Sequence, residues 1–208
     1  GFYADNGVEI HIGDKATQID RESKTVISEK GRQVQYDQLV LATGSFPFVP
    51  PIEGREQKHI HVYRTFEDLE AIKSSAAVSK SGVVLGGGLL GLECANALKN
   101  LGLEAHVVEF GPSLMGVQLD SDSGEMLRKK IEALGVQVHT GKNTKLIEKG
   151  ERARYQLQFA DGTGLDSDMV VFSVGIRARD EIGKECGLDI GARGGFVTDE
   201  SCRTSDKS

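Results

Sequence analysis

The stretch Gly82-Val83-Val84-Leu85-Gly86-Gly87-Gly88-Leu89-Leu90-Gly91 decides the fold. An apolar run ends in a glycine-rich turn, and the helix-forming stretch 92–98 follows at once. The next apolar run, His106-Val107-Val108, ends at the acid Glu109. This order of strand, glycine loop, helix, strand and acid predicts a βαβ unit of the dinucleotide-binding type.

The glycines of this loop have separate predicted roles. Gly86 permits a sharp turn out of the strand, Gly88 lets a pyrophosphate approach the backbone, and Gly91 lets the helix pack close to the strand. The free N–H groups and partial positive charge of the helix N-terminus favour phosphate. Glu109 lies about 20 residues on, where a carboxylate accepts hydrogen bonds from the adenosine ribose. A tight strand-to-helix turn without a ligand is the alternative.

The acid also indicates which nicotinamide cofactor binds. A 2′-phosphate would meet the Glu109 carboxylate with like-charge repulsion. The next residues, Phe110, Gly111 and Pro112, offer no Arg or Lys to receive that phosphate. We therefore predict that the chain binds NADH rather than NADPH, which titration with both cofactors tests.

Composition argues against several other classes of protein. The 208 residues carry a formal net charge of -6, whereas a nucleic-acid partner favours a basic stripe. No apolar run approaches about 18 residues and no secretory signal is present, so we expect a cytoplasmic protein with no membrane partner. The three cysteines form no metal-ligand pattern, and His59 and His61 are only a lone pair, so no metal site is predicted.

The first 45 residues are predicted to be mostly β-structure. A short alternating strand precedes a three-stranded antiparallel meander. The apolar run Leu39-Val40-Leu41-Ala42 is typical of a strand buried on both faces, and Thr43 and Gly44 end it. Prolines and glycines at 47–54 then indicate a linker. The predicted strands span 8–12, 16–20, 25–28 and 34–36.

Helices and strands follow after the linker. Met126, Leu127, Ile131 and Leu134 recur at helical spacing, which predicts one apolar helix face. A second antiparallel meander is expected next, and then a buried strand that ends at Gly175. Around the βαβ unit at 82–109, the predicted helices span 66–80 and 120–134, and the predicted strands span 136–139, 145–148, 155–159 and 169–174.

In this order, the elements resemble those of the pyridine nucleotide-disulfide oxidoreductases, flavoprotein reductases that bind two dinucleotides. The resemblance is carried by the run 39–44, by the glycine loop and by Val171-Phe172-Ser173-Val174-Gly175. It implies an α/β fold in which a Rossmann-like NAD-binding domain with an antiparallel meander is inserted in a partial FAD-binding domain. The implied FAD-binding segments are 1–60 and 177–208, and the implied NAD-binding domain is 61–176.

The resemblance also implies site residues. Glu93 matches an acid that, in disulfide reductases, pairs with a lysine beside the flavin, so it is the candidate catalytic residue. A capping acid in the first helical turn is the alternative for Glu93. Leu89 stands where some relatives carry an aromatic residue that covers the flavin. The expected NAD-binding residues are Gly86, Gly87, Gly88, Leu89, Leu90, Gly91, Glu109 and Gly175.

A second set of residues is implied to contact FAD. The family counterparts of Lys15 and Ala16 present backbone to the adenine, and Ala42, Thr43 and Gly44 lie near the adenosine side. A plain turn at the end of a strand is the alternative for Thr43 and Gly44. The flavin's own glycine loop and the lysine partner of Glu93 are expected before residue 1.

Longer strings narrow the resemblance to the flavin-binding region of NADH-dependent assimilatory nitrite reductases. It implies a piece of a longer enzyme that passes hydride from NADH to FAD, and electrons onward to an iron–sulfur cluster and sirohaem in later domains. The piece alone is expected to be inactive. The alternatives are a ferredoxin or rubredoxin reductase, an NADH oxidase of the same fold, and a non-catalytic NAD-binding module. The matching segments are 62–69, 86–93, 97–102 and Ala192-Arg193-Gly194-Gly195.

Overall fold

The computed structural model describes residues 2–206 and divides the chain into two units. Unit 1 comprises the residues up to Ser45 and from Arg177 onward, and unit 2 comprises Phe46–Ile176. The elements are α1 (Phe2–Asp5), β1 (Ala16–Asp20), β2 (Thr25–Ser28), β3 (Gln33–Gln35), β4 (Ser45–Pro47), β5 (Ile60–Val62), α2 (Phe66–Ala76), β6 (Ser81–Leu85), α3 (Leu89–Asn100), β7 (Glu104–Val108), α4 (Ser121–Ala133), β8 (Val136–His139), β9 (Thr144–Lys149), β10 (Tyr155–Phe159), β11 (Gly164–Ser167), β12 (Met169–Phe172), β13 (Ile176–Ala178) and α5 (Glu181–Glu185).

The chain passes between the units in β4 and in β13. The first passage precedes the expected boundary at residue 60, because residues 46–60 are bonded into unit 2. The Ile147 N–H donates to the Glu53 carbonyl at 2.9 Å, and the Tyr155 hydroxyl donates to the Lys58 carbonyl. The outermost positions of the expected FAD-binding segments, residues 1, 207 and 208, lie outside the described residues.

Unit 1 contains the predicted three-stranded meander and lacks two other predicted strands. β1, β2 and β3 pair antiparallel in that order. Residues 8–12 form no strand, and their apolar side chains are exposed. The run 39–42 also forms no strand, and Val40 is 86% exposed. Both predictions are wrong because an apolar run becomes a buried strand only where neighbouring strands satisfy its backbone, and residues 2–206 supply none there.

Unit 2 is organised around a parallel sheet of order β5-β12-β6-β7-β8. Successive residues of its strands face opposite sides, as strand geometry requires. Val84 and Val171 pack in a core with the helices α2 and α3, whereas Val83, Val170 and Phe172 pack with the second meander, β9, β10 and β11. The predicted buried strand is confirmed for Met169–Phe172, which suits a central strand covered on both faces. Ser173 and Val174 lie beyond its end and are partly exposed.

The helices of unit 2 have clear N-terminal signals. Thr65 and Asp68 form a capping box at α2, and Asp120 caps α4 by accepting the Ser123 N–H at 2.8 Å. The predicted bounds of α4 are therefore nearly those observed. α2 ends at Ala76, before the predicted end at residue 80.

The predicted apolar face of α4 is half wrong. Leu127 and Ile131 pack against the core, but Met126 and Leu134 are 64% and 54% exposed. The buried stripe begins at Gly124, where an added Cβ would lie 2.9 Å from the Ser113 Cβ. Leu127 and Ile131, three and seven positions after Gly124, share its face, whereas Met126 lies on another face. Leu134 is the C-cap that follows the last residue of α4.

Candidate functional site

A cleft of about 670 Å³ opens at the carboxyl ends of the parallel strands of unit 2. Leu85, Val108 and Phe172, which end β6, β7 and β12, all line it. On one side of β6 lies β7, the next strand in the sequence, and on its other side lies the much later strand β12. The strand order therefore reverses at β6, and the cleft lies at this topological switch point. Ligands of open α/β sheets bind in such crevices.

Three of the loop glycines are required by the fold. Gly86 has φ 118°, and an added Cβ would lie 2.3 Å from the Ser173 carbonyl oxygen. A Cβ on Gly91 would lie 1.9 Å from the Gly86 carbonyl oxygen, and one on Gly87 would lie 2.7 Å from Leu114 Cδ2. These contacts account for the sharp turn and the close approach of helix to strand.

Gly88 has no such structural requirement. An added Cβ meets nothing within 4 Å, and the backbone is extended, with φ -82° and ψ 179°. Gly88 lines the cleft and is also the N-cap of α3. The space beside it is therefore open for a ligand to approach the backbone.

The N-terminus of α3 differs from those of α2 and α4. Within residues 2–206, no side chain caps α3, whereas Thr65 and Asp120 cap the other two helices. The first N–H groups of α3 consequently keep their donor capacity and the positive end of the helix dipole for an anion. Leu89 and Leu90, at the start of α3, are exposed and line the cleft.

Glu109 lies beside this glycine loop and lines the cleft. One carboxylate oxygen accepts the Gly87 N–H at 2.6 Å, and the other accepts the Gly111 N–H at 2.6 Å. Charge-assisted bonds of this length are strong, so they fix the carboxylate at the end of β7. The remaining lone pairs of its oxygens can accept hydrogen bonds from a diol in the cleft.

Gly175, Tyr63 and the residues of the β12–β13 connection also line the cleft. Gly175 has φ 107°, and its carbonyl accepts the Phe48 N–H at 2.9 Å. The Tyr63 ring is half-buried, and burial together with the nearby Glu93 carboxylate raises the Tyr63 pKa. Glu93 itself is exposed, and the structure places it against Tyr63.

Unit 1 brings together most of the residues expected to contact FAD. Lys15, Ala16, Ala42 and Thr43 line a cavity of about 660 Å³ within this unit. Gly44 does not line it, but its carbonyl accepts the Arg179 N–H at 3.0 Å. The Thr43 hydroxyl donates to the Arg179 carbonyl. The turn at Thr43 and Gly44 is thus bonded to the segment that returns to unit 1.

A sequence profile of the pyridine nucleotide-disulphide oxidoreductases matches residues 3–208. The chain belongs to this family. It is 54% identical to the nitrite reductase (NADH) large subunit of Escherichia coli strain K12, over 99% of this chain and 24% of that protein. It is 37% identical to the nitrite reductase [NAD(P)H] of Bacillus subtilis strain 168, over 95% of this chain and 24% of that protein. The chain therefore spans about a quarter of these relatives.

Solved structures confirm the α/β, Rossmann-like fold expected for this family. The ferredoxin reductase for the CYP199A2 system from Rhodopseudomonas palustris superposes with a TM-score of 0.90 at 29% identity, over 99% of this chain and 50% of that one. A NAD-dependent persulfide reductase from A. fulgidus gives a TM-score of 0.90 at 32% identity, over 99% and 39% of the respective chains.

In this family member, the cleft contains cations that the sequence reasoning overlooked. Lys142 and Lys145, from the β8–β9 connection and β9, line the same cleft as Glu109. The Lys142 N–H donates to the Glu109 carbonyl at 3.0 Å. The argument that the residues after Glu109 offer no Lys or Arg to a 2′-phosphate is therefore incomplete. The parallel pairing of β7 with β8 sets Val108 opposite His139. It thereby brings Lys142, which follows β8, next to Glu109, which follows β7, and no local sequence pattern indicates this.

Cys94 is buried, and His59 and His61 both lie beside a buried serine hydroxyl. Burial raises the pKa of the Cys94 thiol to about 12, so this thiol stays protonated. His59 Nδ1 and His61 Nε2 lie 2.9 and 2.7 Å from the Ser75 hydroxyl, a serine that is distant in sequence and buried. No cluster of metal-ligating side chains occurs among residues 2–206. No helix in that part of the chain is long and apolar enough to cross a bilayer.

Acidification is expected to destabilise unit 2 through the buried His106 and the half-buried His139. His106 Nδ1 and His139 Nε2 lie 3.2 Å apart, and burial lowers the pKa of both rings. The unfolded chain binds protons near its ordinary histidine pKa of about 6.5, while the folded protein does not, so this stabilisation is lost as the pH falls below that value.

Thermal unfolding at about pH 7.5 and pH 5.5 measures this effect. We expect the melting temperature to fall, and to fall less in a variant carrying both His106→Gln and His139→Gln. Carboxylates whose pKa is lowered in the folded protein titrate below pH 5.5, so they do not contribute to the difference between the two melting temperatures. An equal fall in both proteins would contradict the assignment.

Proposed function

We propose that the chain binds NADH in the cleft of unit 2 and forms part of an NADH-dependent flavoprotein reductase. The observation that carries this proposal is the open position at Gly88, beside the uncapped N-terminus of α3. The N–H groups of α3 would hold the pyrophosphate, and Glu109 would accept hydrogen bonds from the adenosine ribose. A phosphate-binding helix N-terminus and a ribose-binding carboxylate are the two features that dinucleotide binding requires.

In this proposal, unit 2 is the NAD-binding domain and unit 1 is part of an FAD-binding domain. The cavity lined by Lys15, Ala16, Ala42 and Thr43 supports the assignment of unit 1, since it gathers residues distant in sequence. We place the first boundary between these domains at β4, where the chain passes between the two units, instead of near residue 60. The structural neighbours named above, reductases of the same family, also support it.

When bound, NADH would supply a hydride, and FAD would accept it and pass electrons onward. The chain's own residues position the cofactor and exclude water. Leu89, Leu90 and Gly175 would line the nicotinamide side of the cleft, with Tyr63 as part of its wall. Glu93 stays the candidate catalytic residue, and its charge beside Tyr63 would orient that phenol.

For the longer protein, we propose the activity of a nitrite reductase large subunit. The 54% identity to the Escherichia coli protein supports this reading. The implied iron–sulfur cluster and sirohaem would be held by later domains, and the location would be cytoplasmic. NADH-dependent reduction of nitrite by the full-length protein tests it. Reduction of ferredoxin, rubredoxin or oxygen without nitrite reduction would instead favour one of the alternative reductases or an oxidase.

Replacing Glu109 with glutamine tests the proposed cofactor site. We expect NADH affinity to fall about tenfold, because the amide donates where the carboxylate accepted. The NADPH affinity should fall less, since like-charge repulsion is removed at the same time. Calorimetric titration with both cofactors measures this, with Glu151→Gln in an exposed turn as the control. Equal affinity of the unaltered protein for both cofactors would contradict the predicted preference.

A further inference from the structure

Lys142 lines the cleft, but its ammonium is bonded to two residues that do not line it. Its ammonium lies 2.6 Å from Asp161 Oδ2 and 2.9 Å from the Thr163 hydroxyl oxygen. The ion pair is half-buried on the lysine side, where only 25% of the side chain is exposed. Asp161 and Thr163 belong to the β10–β11 turn and do not line the cleft.

We propose that the Lys142–Asp161 ion pair is a second determinant of the cofactor choice, because Asp161 holds the ammonium of the lysine that adjoins Glu109 and so withholds it from a 2′-phosphate. The proposal rests on the proposed function, since it concerns the adenosine end of the NADH site. In this arrangement, Glu109 repels the 2′-phosphate. Lys142 does not offset this repulsion, because its ammonium is paired with Asp161. The preference for NADH then depends on two carboxylates instead of one.

The position of Lys142 makes it the relevant cation. Its N–H is bonded to the carbonyl of Glu109, so its side chain starts at the residue expected to bind the ribose. A 2′-phosphate on that ribose would lie next to the Glu109 carboxylate. A flexible lysine stem with a compact ammonium can reach a phosphate from there, provided that no other anion holds it.

Asp161 is well fixed to hold this ammonium. Its Oδ1 accepts the Thr163 N–H at 3.0 Å and the Thr163 hydroxyl at 2.6 Å, which leaves Oδ2 for Lys142. These bonds form an Asx-type turn between β10 and β11. The Lys142 ammonium, together with the two Thr163 bonds, holds the pKa of Asp161 well below its usual range, so the carboxylate stays charged at neutral pH. The Phe159 ring adds a cation–π contact 5.6 Å from the ammonium.

The variant Asp161→Asn separates the charge from the turn. An amide oxygen still accepts both bonds from Thr163, but the attraction for the ammonium is largely lost. We expect NADPH affinity to rise about tenfold and NADH affinity to change by less than about twofold. Titration with both cofactors at low and high salt measures this, and salt should reduce the NADPH gain because a freed surface lysine is screened.

Lys145 provides the matched control, because it lines the same cleft without an ion pair to Asp161. Adding Lys142→Gln to Asp161→Asn should erase the NADPH gain, and adding Lys145→Gln should leave most of it. An unchanged NADPH affinity in a folded Asp161→Asn protein, or a gain that survives Lys142→Gln, would overturn the proposal.

A single variant tests the same point without altering the turn. Lys142→Gln in the otherwise unaltered protein should leave NADPH affinity within about twofold, because the charge is already withheld. A loss of tenfold or more would show that Lys142 already serves the cleft, and the proposal would fail. Absence of NADH binding to the unaltered protein would instead defeat the proposed function, so the two failures are distinguishable.

Discussion

Replacing Gly88 with aspartate is expected to abolish NADH binding while leaving the protein at least as stable. The backbone of Gly88 is already that of an N-cap, and a Cβ there meets nothing. An aspartate would accept the first N–H groups of α3, which is worth a few tenths of a kcal/mol over glycine. It would also place a negative charge where the pyrophosphate must lie. We expect NADH affinity to fall by about a hundredfold or more.

Titration calorimetry and thermal unfolding of the same protein measure the two effects. Gly88→Asn is the matched control, because it caps the helix without a charge and should weaken NADH binding less. A Gly88→Asp protein that binds NADH as tightly as the unaltered one would show that the phosphate site lies elsewhere. A large fall in melting temperature would show that the position is not open.

Replacing Gly91 with alanine is expected to destabilise unit 2 by at least about 3 kcal/mol. Inside a helix, this change ordinarily stabilises by up to about 1 kcal/mol, so helix propensity predicts the opposite sign. The new methyl would lie 1.9 Å from the Gly86 carbonyl oxygen. That oxygen is backbone in a tight turn and cannot move aside cheaply. The helix and the strand must therefore separate.

Urea denaturation measures this loss, with Gly88→Ala as the control. The control adds the same methyl three positions earlier in the same loop, into open space. It should change the free energy of unfolding by no more than about 1 kcal/mol. If Gly91→Ala proved neutral or stabilising, the close contact between α3 and β6 would be refuted.

Local signals in the sequence predicted most of unit 2. Asp120 and Gly135 delimit α4, because capping and helix termination depend on residues within one turn. The bounds of β10 match the prediction, since alternating residues lie between two turns. The βαβ unit and the position of Glu109 follow from spacing alone. Each of these features is decided by neighbours in the chain.

The errors arise where partners distant in sequence decide the outcome. The run 39–42 has a strand's composition but no strand beside it among residues 2–206. Lys142 reaches the Glu109 backbone only through the pairing of β7 and β8. The contact of Tyr63 with Glu93 likewise joins two elements that no local pattern relates. Composition and periodicity contain no information on such contacts.

The strand order of unit 2 has a consequence for biosynthesis. β12, the last strand of the parallel sheet to leave the ribosome, lies between β5 and β6, which are the first two. Until residues 169–172 emerge, the nascent chain has two unpaired strand edges and an incomplete sheet. Such long-range closure slows folding and exposes aggregation-prone surface. A polypeptide interrupted just before β12 would thus depend on chaperones, although it already carries the complete glycine loop.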